Sequence, residues 1–349
     1  STHPSWGRSS PRTQWPMRRS SSSKEKVLSR ACNHPSMGVP GPLLNIRYWI
    51  VAGIVLGFLL GPREGFDFSL MMILVLMIQM SVSMEGLEFG RKDFSERKKE
   101  VLIAFLCCFA LNTGVTVLVG LPFIYSHPEI WYGWALFASL PCAIAVVVCA
   151  IYMKGDVKLA LLSVTAIYMI SLALTPVLSL ILVGNAISPL EILKYIILFI
   201  AIPFVAALLL RRFHVREDHK TVTMNAMMML LVLFAIAANR DAFFDDPWLV
   251  LIILGLATLR LVVLTVVPWE WSRRAGIGRG RSVVYVVASA WKNTGMCIAM
   301  VMILLPGMQE AVLPAVISLL VENIWFMIMT AKADRIWSEE RFPSPASTQ

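Results

Sequence analysis

The chain has 349 residues, of which 57% are hydrophobic and 15% charged, with a net charge of +9. Its mean hydropathy is +0.71, which excludes an ordinary soluble domain and, with many apolar runs of about twenty residues, indicates an all-α polytopic membrane protein. The positive residues lie in short stretches between apolar runs, as membrane topology requires. This distribution of positive charge predicts that the protein lies in the lipid bilayer and does not bind nucleic acid.

Both ends of the chain differ in composition from the rest. Residues 1–42 are rich in serine, proline and basic residues, with too little apolar surface to fold, and are predicted to form a disordered cytoplasmic tail. Met17 or Met37 is a candidate start of the natural protein, and the first apolar run is expected to act as its own insertion signal. Residues 336–349 are predicted to be a second cytoplasmic tail, which leaves 43–335 as the membrane domain.

Apolar runs follow one another along the whole membrane domain. Each is long enough to predict a transmembrane helix. The ten predicted spans are 43–60, 68–88, 101–124, 131–153, 157–183, 190–210, 221–238, 247–268, 281–305 and 311–333.

Lysine and arginine are concentrated in the connections on one side of the predicted spans. The connections on the side of the N-terminus carry 26 of them, and those on the opposite side carry only Arg63 and Arg240. Because cytoplasmic loops are the positive ones, both termini are predicted to be cytoplasmic. A plasma membrane of a prokaryote is the expected location.

Ten spans divide into two halves of five, and an odd number makes the second half enter the membrane in the opposite sense, which predicts an inverted repeat. The fourth and ninth spans then correspond, and each contains an interruption: residues 139–143 around Pro141 and residues 292–295. Paired broken helices in two halves are typical of the binding site of a transporter. Pro141, Cys142, Lys292, Asn293, Thr294 and Gly295 are therefore candidate binding residues.

Three charged residues are predicted to lie deep in the membrane: Lys292, Glu322 and Arg260. A charge there is costly unless it finds a partner or water, and it marks a candidate functional site. Pairing among the three is expected, either Lys292 with Glu322 as a static structural pair or Glu322 with Arg260. Lys292 is also a candidate carrier of a coupling proton, since buried lysines lose their proton more easily than exposed ones.

Several short motifs, in this order and spacing, resemble the bile acid:sodium symporter superfamily, which includes the arsenical-resistance arsenite exporters. They are Met84-Glu85-Gly86-Leu87, Arg91-Lys92-Asp93-Phe94, Leu140-Pro141-Cys142, Lys154-Gly155-Asp156, Leu174-Thr175-Pro176 and Lys292-Asn293-Thr294-Gly295. The resemblance implies ten helices arranged as a panel domain and a core domain, with crossing, discontinuous fourth and ninth helices that form the site in the core.

The chain departs from the sodium-coupled members of that superfamily. They carry Pro-Gly-Gly-x-x-Ser-Asn in the fourth span and Glu-x-x-x-Gln-Asn in the ninth, whose oxygens hold the ions. Here the Ser and Asn positions are Val146 and Val147, and the Glu and Gln positions are Ala288 and Lys292. The resemblance therefore implies transport without sodium, with the ammonium group of Lys292 in the place of an ion.

The arsenite-exporter branch shares other residues with this chain. Its Pro-Cys and Leu-Val-Glu motifs match Pro141-Cys142 and Leu320-Val321-Glu322, so its functional cysteine and glutamate carry over to Cys142 and Glu322. A thiolate is a good ligand for soft trivalent arsenic. Against this branch, Asn293-Thr294-Gly295-Met296 stands where it has Asn-Phe-Phe-Glu.

The expected function is secondary active transport of a small organic anion by alternating access, coupled to protons or to the membrane potential. Arsenite efflux through Cys142 and Glu322 is the first alternative, and a non-pumping sensor or channel on the same fold is the second. No enzyme is expected, because no nucleophile with its base, metal motif or phosphate-binding loop is present in the sequence. No cofactor is expected either.

Overall fold

The structure is a computed structural model that describes residues 41–62, 65–85, 91–184, 187–213 and 215–342. The predicted tail up to residue 40 and the last residues of the predicted C-terminal tail lie outside these ranges. The described residues form helices and turns and contain no strand. Twelve longer helices are labelled in chain order: α1 Ile46–Leu60, α2 Phe68–Met84, α3 Lys98–Gly120, α4 Pro128–Ser139, α5 Ala145–Tyr152, α6 Val157–Val183, α7 Pro189–Leu210, α8 Glu217–Ala238, α9 Pro247–Arg274, α10 Arg279–Ala290, α11 Thr294–Leu304 and α12 Leu313–Ile336.

Several short helices lie before α1 or in the turns between the longer helices. They are Gly41–Leu44, Arg91–Glu96, Phe123–Ser126, Arg211–Phe213, Arg240–Asp245 and Gln309–Val312. In the described part of the chain six helices are long and apolar enough to cross a membrane, and α1, α2 and α11 are shorter apolar helices. The protein is therefore a multi-pass helical membrane protein, as its composition predicts.

Aspartates set the starts of three long helices. The side chain of Asp67 accepts a hydrogen bond from the Leu70 amide at the start of α2, at 2.9 Å. Asp156 does the same for Leu159 in α6, and Asp246 for Leu249 in α9, each at 3.0 Å. These caps satisfy backbone donors that have no partner within the helix, which matters most where water is absent.

Two groups of helices can be distinguished by their packing. In the side group, α1 and α2 pack against α7 and α8; in the core group, α3–α6 pack with α9–α12. Glycines bring α1 and α8 close together, because a Cβ atom at Gly53 would lie 2.7 Å from the carbonyl oxygen of Met229. Small residues at such contacts are typical of membrane helices.

The ends of the core helices are joined by ion pairs. Arg97 pairs with Asp156, and Asp334 at the end of α12 pairs with Lys154 at 2.9 Å and with Arg279 at 2.8 Å. At the opposite ends, His127 lies 3.3 Å from Glu310. Each of these contacts joins helix ends that the sequence places on the same side of the membrane.

Candidate functional site

The two interrupted helices meet at their interruptions. Helix α4 ends at Ser139 and α5 begins at Ala145, while α10 ends at Ala290 and α11 begins at Thr294. The first interruption falls within one residue of the predicted 139–143, while the second covers residues 291–293, so that Thr294 and Gly295 of the predicted 292–295 form the start of α11. The two extended segments run antiparallel, with Cys142 opposite Lys292, and exchange two backbone hydrogen bonds, from Ala143 to Trp291 at 3.0 Å and from Asn293 to Pro141 at 2.9 Å.

Local chemistry explains each interruption. Pro141 has no amide hydrogen and disfavours helical backbone at the residue before it, so Leu140 is extended with ψ 158°. Asn293 starts α11 by accepting a hydrogen bond from the Met296 amide at 3.1 Å, and its amide nitrogen donates to the Tyr168 hydroxyl at 2.9 Å. The helix ends therefore leave carbonyl groups that need donors deep in the core group.

Lys292 supplies those donors. Its Nζ atom lies 2.8 Å from the Ala138 carbonyl oxygen, 2.6 Å from that of Leu140 and 3.1 Å from Thr113 Oγ1. The Thr113 hydroxyl gives its own hydrogen to the Ala138 carbonyl at 2.7 Å, so it accepts from the lysine. Three acceptors match the three N–H groups of an ammonium. The ring of Phe109, 4.8 Å away, adds a favourable contact for a cation.

Arg260 and Glu322 form the second half of the cluster. Arg260 Nη1 lies 3.3 Å from Glu322 Oε1, and the Thr294 hydroxyl donates to the other carboxylate oxygen. Both charged side chains are buried, with exposures of 0% and 1%. The expected static pair of Lys292 with Glu322 is therefore wrong: among the described ion pairs the carboxylate belongs to Arg260, because Lys292 is turned toward the end of α4.

Three polar residues of α3 that the sequence analysis did not select complete the cluster. Asn112 and Thr116 accept from Arg260 at 3.3 Å and 2.8 Å, and Thr113 contacts Lys292. Asn112 ends a π-helical turn at Cys107–Asn112, and Thr113 and Thr116 follow it; such turns are frequent at functional sites. The detectable signal was the i, i+1, i+4 spacing of polar residues inside an apolar run, which places all three on one helix face.

A small cavity of about 70 Å³ lies where the core group faces the side group. Its core wall is made of residues 143–145 and 291–295, which contain the starts of α5 and α11. Its side-group wall is mostly apolar, with Gln79 and Ser83 as the polar residues; the lining from α2 and α8 is Leu76, Gln79, Met80, Ser83, Met224, Met228 and Leu231. Because Gly295 has no side chain, Leu231 of α8 can lie close to it across this space. A Cβ atom at this position would lie 2.6 Å from the Leu231 side chain.

Cys142 is fully buried beside Lys292. Five cysteines lie in the described ranges, all of them buried and outside any disulfide. Within those ranges no group of three or more His, Cys, Asp or Glu side chains could hold a metal ion together. The structure thus brings seven of the eight candidate residues, from Pro141 to Glu322, to one junction, while Gly295 lines the adjoining cavity.

A multi-pass membrane protein with two discontinuous helices meeting in its core, and a cavity beside the meeting point, has the architecture of a transporter. The model of the sodium bile acid symporter family matches residues 69–243. The chain belongs to that family, whose members are membrane transporters. No curated protein matches the chain.

Proposed function

We propose that the protein is a secondary active transporter that moves a small organic anion by alternating access and does not use sodium. The observation that carries this proposal is the position of the Lys292 ammonium group, enclosed by three oxygen atoms at the junction of the two interrupted helices. A buried cation with a full set of oxygen acceptors occupies the kind of site that an inorganic cation would need. The neighbouring positions Val146, Val147 and Ala288 offer no side-chain oxygen.

Anions suit the cavity beside this junction. The starts of α5 and α11 border it, and helix N-termini attract negative charge through their unpaired N–H groups. The apolar residues of α2 and α8 on the facing wall suit an apolar body. The eight candidate residues would form the substrate and ion site, with Asn112, Thr113 and Thr116 added to it.

The proposal includes ten membrane crossings arranged as a five-plus-five inverted repeat. The six long helices, α1, α2 and the two interrupted pairs would supply them. Both termini would be cytoplasmic, in the plasma membrane of a prokaryote, around a transporter domain at 43–335. The ion pairs at the ends of the core helices support this topology, because each joins ends that the positive-residue count places on one side.

Two forms of energy coupling suit a buried ammonium group. A proton could exchange at Lys292, which requires the three contacts of its Nζ atom to open during the cycle, or the membrane potential could act on its charge. Imposed pH and voltage gradients in proteoliposomes distinguish the two. A pH gradient that drives flux at zero voltage would support the proton.

The first experiment is to find the substrate. Purified protein would be screened by thermal shift against bile acids, keto acids, pantoate and arsenite, and each stabilising compound would then be tested for flux in proteoliposomes. We expect an organic monoanion to stabilise the protein and to be transported. Binding without flux would favour the non-pumping sensor or channel.

Arsenite efflux is a second candidate function, favoured by the position of Cys142. Its thiol lies at the meeting point of the two interrupted helices, opposite Lys292, and Thr294 two residues further along donates to Glu322. A thiolate and a carboxylate there would give a soft and a hard ligand for a metalloid oxyacid.

A further inference from the structure

The buried charges at the junction do not cancel. Arginine keeps its charge in proteins, and the guanidinium of Arg260 stabilises the ionised carboxylate of Glu322. Lys292 faces three acceptors, and a neutral amine would direct its lone pair at one of those oxygens, so the ammonium form is the one that fits. With Glu322 ionised, the three side chains sum to one positive charge.

The other titratable groups around Lys292 leave this sum unchanged. The thiols of Cys108, Cys142 and Cys297 face it from α3, the α4–α5 interruption and α11, and the Tyr168 hydroxyl faces the same junction from α6. Thiols and phenols are neutral at pH 7 in their ordinary form. With the thiols and the phenol neutral, Glu322 ionised and Lys292 protonated, the junction holds a net charge of +1 that is shielded from solvent.

This charge belongs entirely to the core group. Apart from the pair that Arg260 of α9 and Glu322 of α12 form with each other, the hydrogen-bond partners described for the three side chains lie on α3, on α11 and at the end of α4. The side group reaches the junction at the cavity, through α2 and α8. Elsewhere α7 packs against α6 and α11, and Arg47 of α1 donates to Met327 and Thr330 of α12. A displacement of the core group past the side group would therefore carry the charge with it.

We propose that the core group crosses the membrane field as a body of charge +1 when empty and as a neutral body when it holds one monovalent anion. The membrane potential then acts on the empty carrier, and a potential that is negative inside drives net export of the anion. This inference rests on the proposed transport function and assigns its coupling to voltage instead of proton exchange. A full elementary charge crossing the field would shift the empty carrier's equilibrium about 50-fold per 100 mV.

Charge movement can be measured without knowing the substrate. Voltage steps would be applied to voltage-clamped membranes that contain the protein in buffer free of sodium and organic anions. We expect a saturable transient current, with equal charge moved at the onset and at the end of each step. Wild-type protein that gives no such current would overturn the proposal, whatever the variants do.

A matched pair of variants tests where the charge resides. Lys292→Gln makes the junction neutral and should abolish the transient current. Lys194→Gln removes an exposed lysine of α7 in the side group and should leave it unchanged at equal protein level. A current that persists in well-folded Lys292→Gln protein would contradict the assignment.

Flux measurements separate this inference from the transport function itself. With a transported monoanion saturating on both sides, the rate of anion exchange should be independent of voltage. The rate of net anion efflux should rise when the potential is negative inside. Flux driven by a pH gradient and indifferent to voltage would overturn the inference and leave transport intact. Charge movement without flux of any anion tested would keep the inference and refute the transporter.

Discussion

At the scale of single residues, the partner of Glu322 is the point on which sequence and structure differ. Three charges at similar depth were predictable, because depth follows from position along a span. Which two of them pair depends on the rotation of α9 and α12 about their axes and on the route of the chain after α10. Those quantities are set by packing of the whole core, so the Arg260–Glu322 pair could not be derived from the sequence.

A double-mutant cycle on Arg260→Gln and Glu322→Gln tests this pair. Either single change leaves a buried charge without its partner and should cost about 3–5 kcal/mol. The double variant should be less destabilised than the sum of the two, with a coupling of about 1 kcal/mol or more. Thermal stability in detergent is the measurement.

The matched cycle uses Lys292→Gln with Glu322→Gln. The described contacts of the Lys292 ammonium group do not include Glu322, which pairs with Arg260, so the coupling of Lys292 with Glu322 should be smaller than that of the first cycle. A larger coupling between Lys292 and Glu322 would contradict the geometry described here.

Cys142 carries the prediction for the arsenite alternative. If arsenite is the substrate, expression should protect an exporter-deficient host from arsenite, and Cys142→Ser should remove that protection at an unchanged protein level. Cys149→Ser, a buried cysteine of α5 away from the junction, is the control and should still protect. Equal arsenite sensitivity of the host with and without the wild-type protein would leave the organic anion as the substrate.

At the scale of elements, the two interruptions were predictable and the π-helical turn of α3 was not. Proline and an Asn-Thr-Gly run change backbone chemistry locally, so their effect can be read along the chain. The turn at Cys107–Asn112 has no such local cause in its residues. It lies next to the polar contacts that Asn112 and Thr116 make with Arg260, 144 or more positions further along the chain.

The packing of α4 gives a stability prediction at this scale. A Cβ atom at Gly133 would collide with the backbone carbonyl oxygen of Ala311, so Gly133→Ala should push α4 away from the Gln309–Val312 turn. We expect a loss of about 1–3 kcal/mol, measured as a lower melting temperature. Gly114→Ala in α3, where nothing lies within 4 Å of the added atom, is the control and should be neutral or stabilising. Equal melting temperatures for the two variants would contradict this packing.

At the scale of the whole molecule, the strongest sequence signal was the alternation of lysine and arginine between loops, which yields topology but no contacts. The division into a core group and a side group could be seen only in the packing of the helices. A hydropathy profile does not distinguish an apolar helix face that contacts lipid from one that contacts another helix. The cavity between the groups is a product of that division. Its position near the interruptions could be expected from the sequence, but the residues that line it could not be predicted.

Labelling of single cysteines tests the proposed topology. In a background with the native cysteines replaced, Tyr125→Cys should react with a membrane-impermeant maleimide on intact cells, because it lies in the turn between α3 and α4 on the predicted outer side and is 97% exposed. Arg274→Cys, at the predicted inner end of α9, should react only after lysis. Reaction of both residues on intact cells would overturn the proposed orientation.

The central claim is that the ammonium group of Lys292 takes the place of a coupled sodium ion, and flux in proteoliposomes with choline in place of sodium tests it most directly. For a transported anion, wild-type flux should be the same in both media. Lys292→Gln should lose most of its flux, by about tenfold or more, without gaining dependence on sodium, since it restores a neutral polar group but no further oxygen ligands. Wild-type flux that stops when choline replaces sodium would contradict the account.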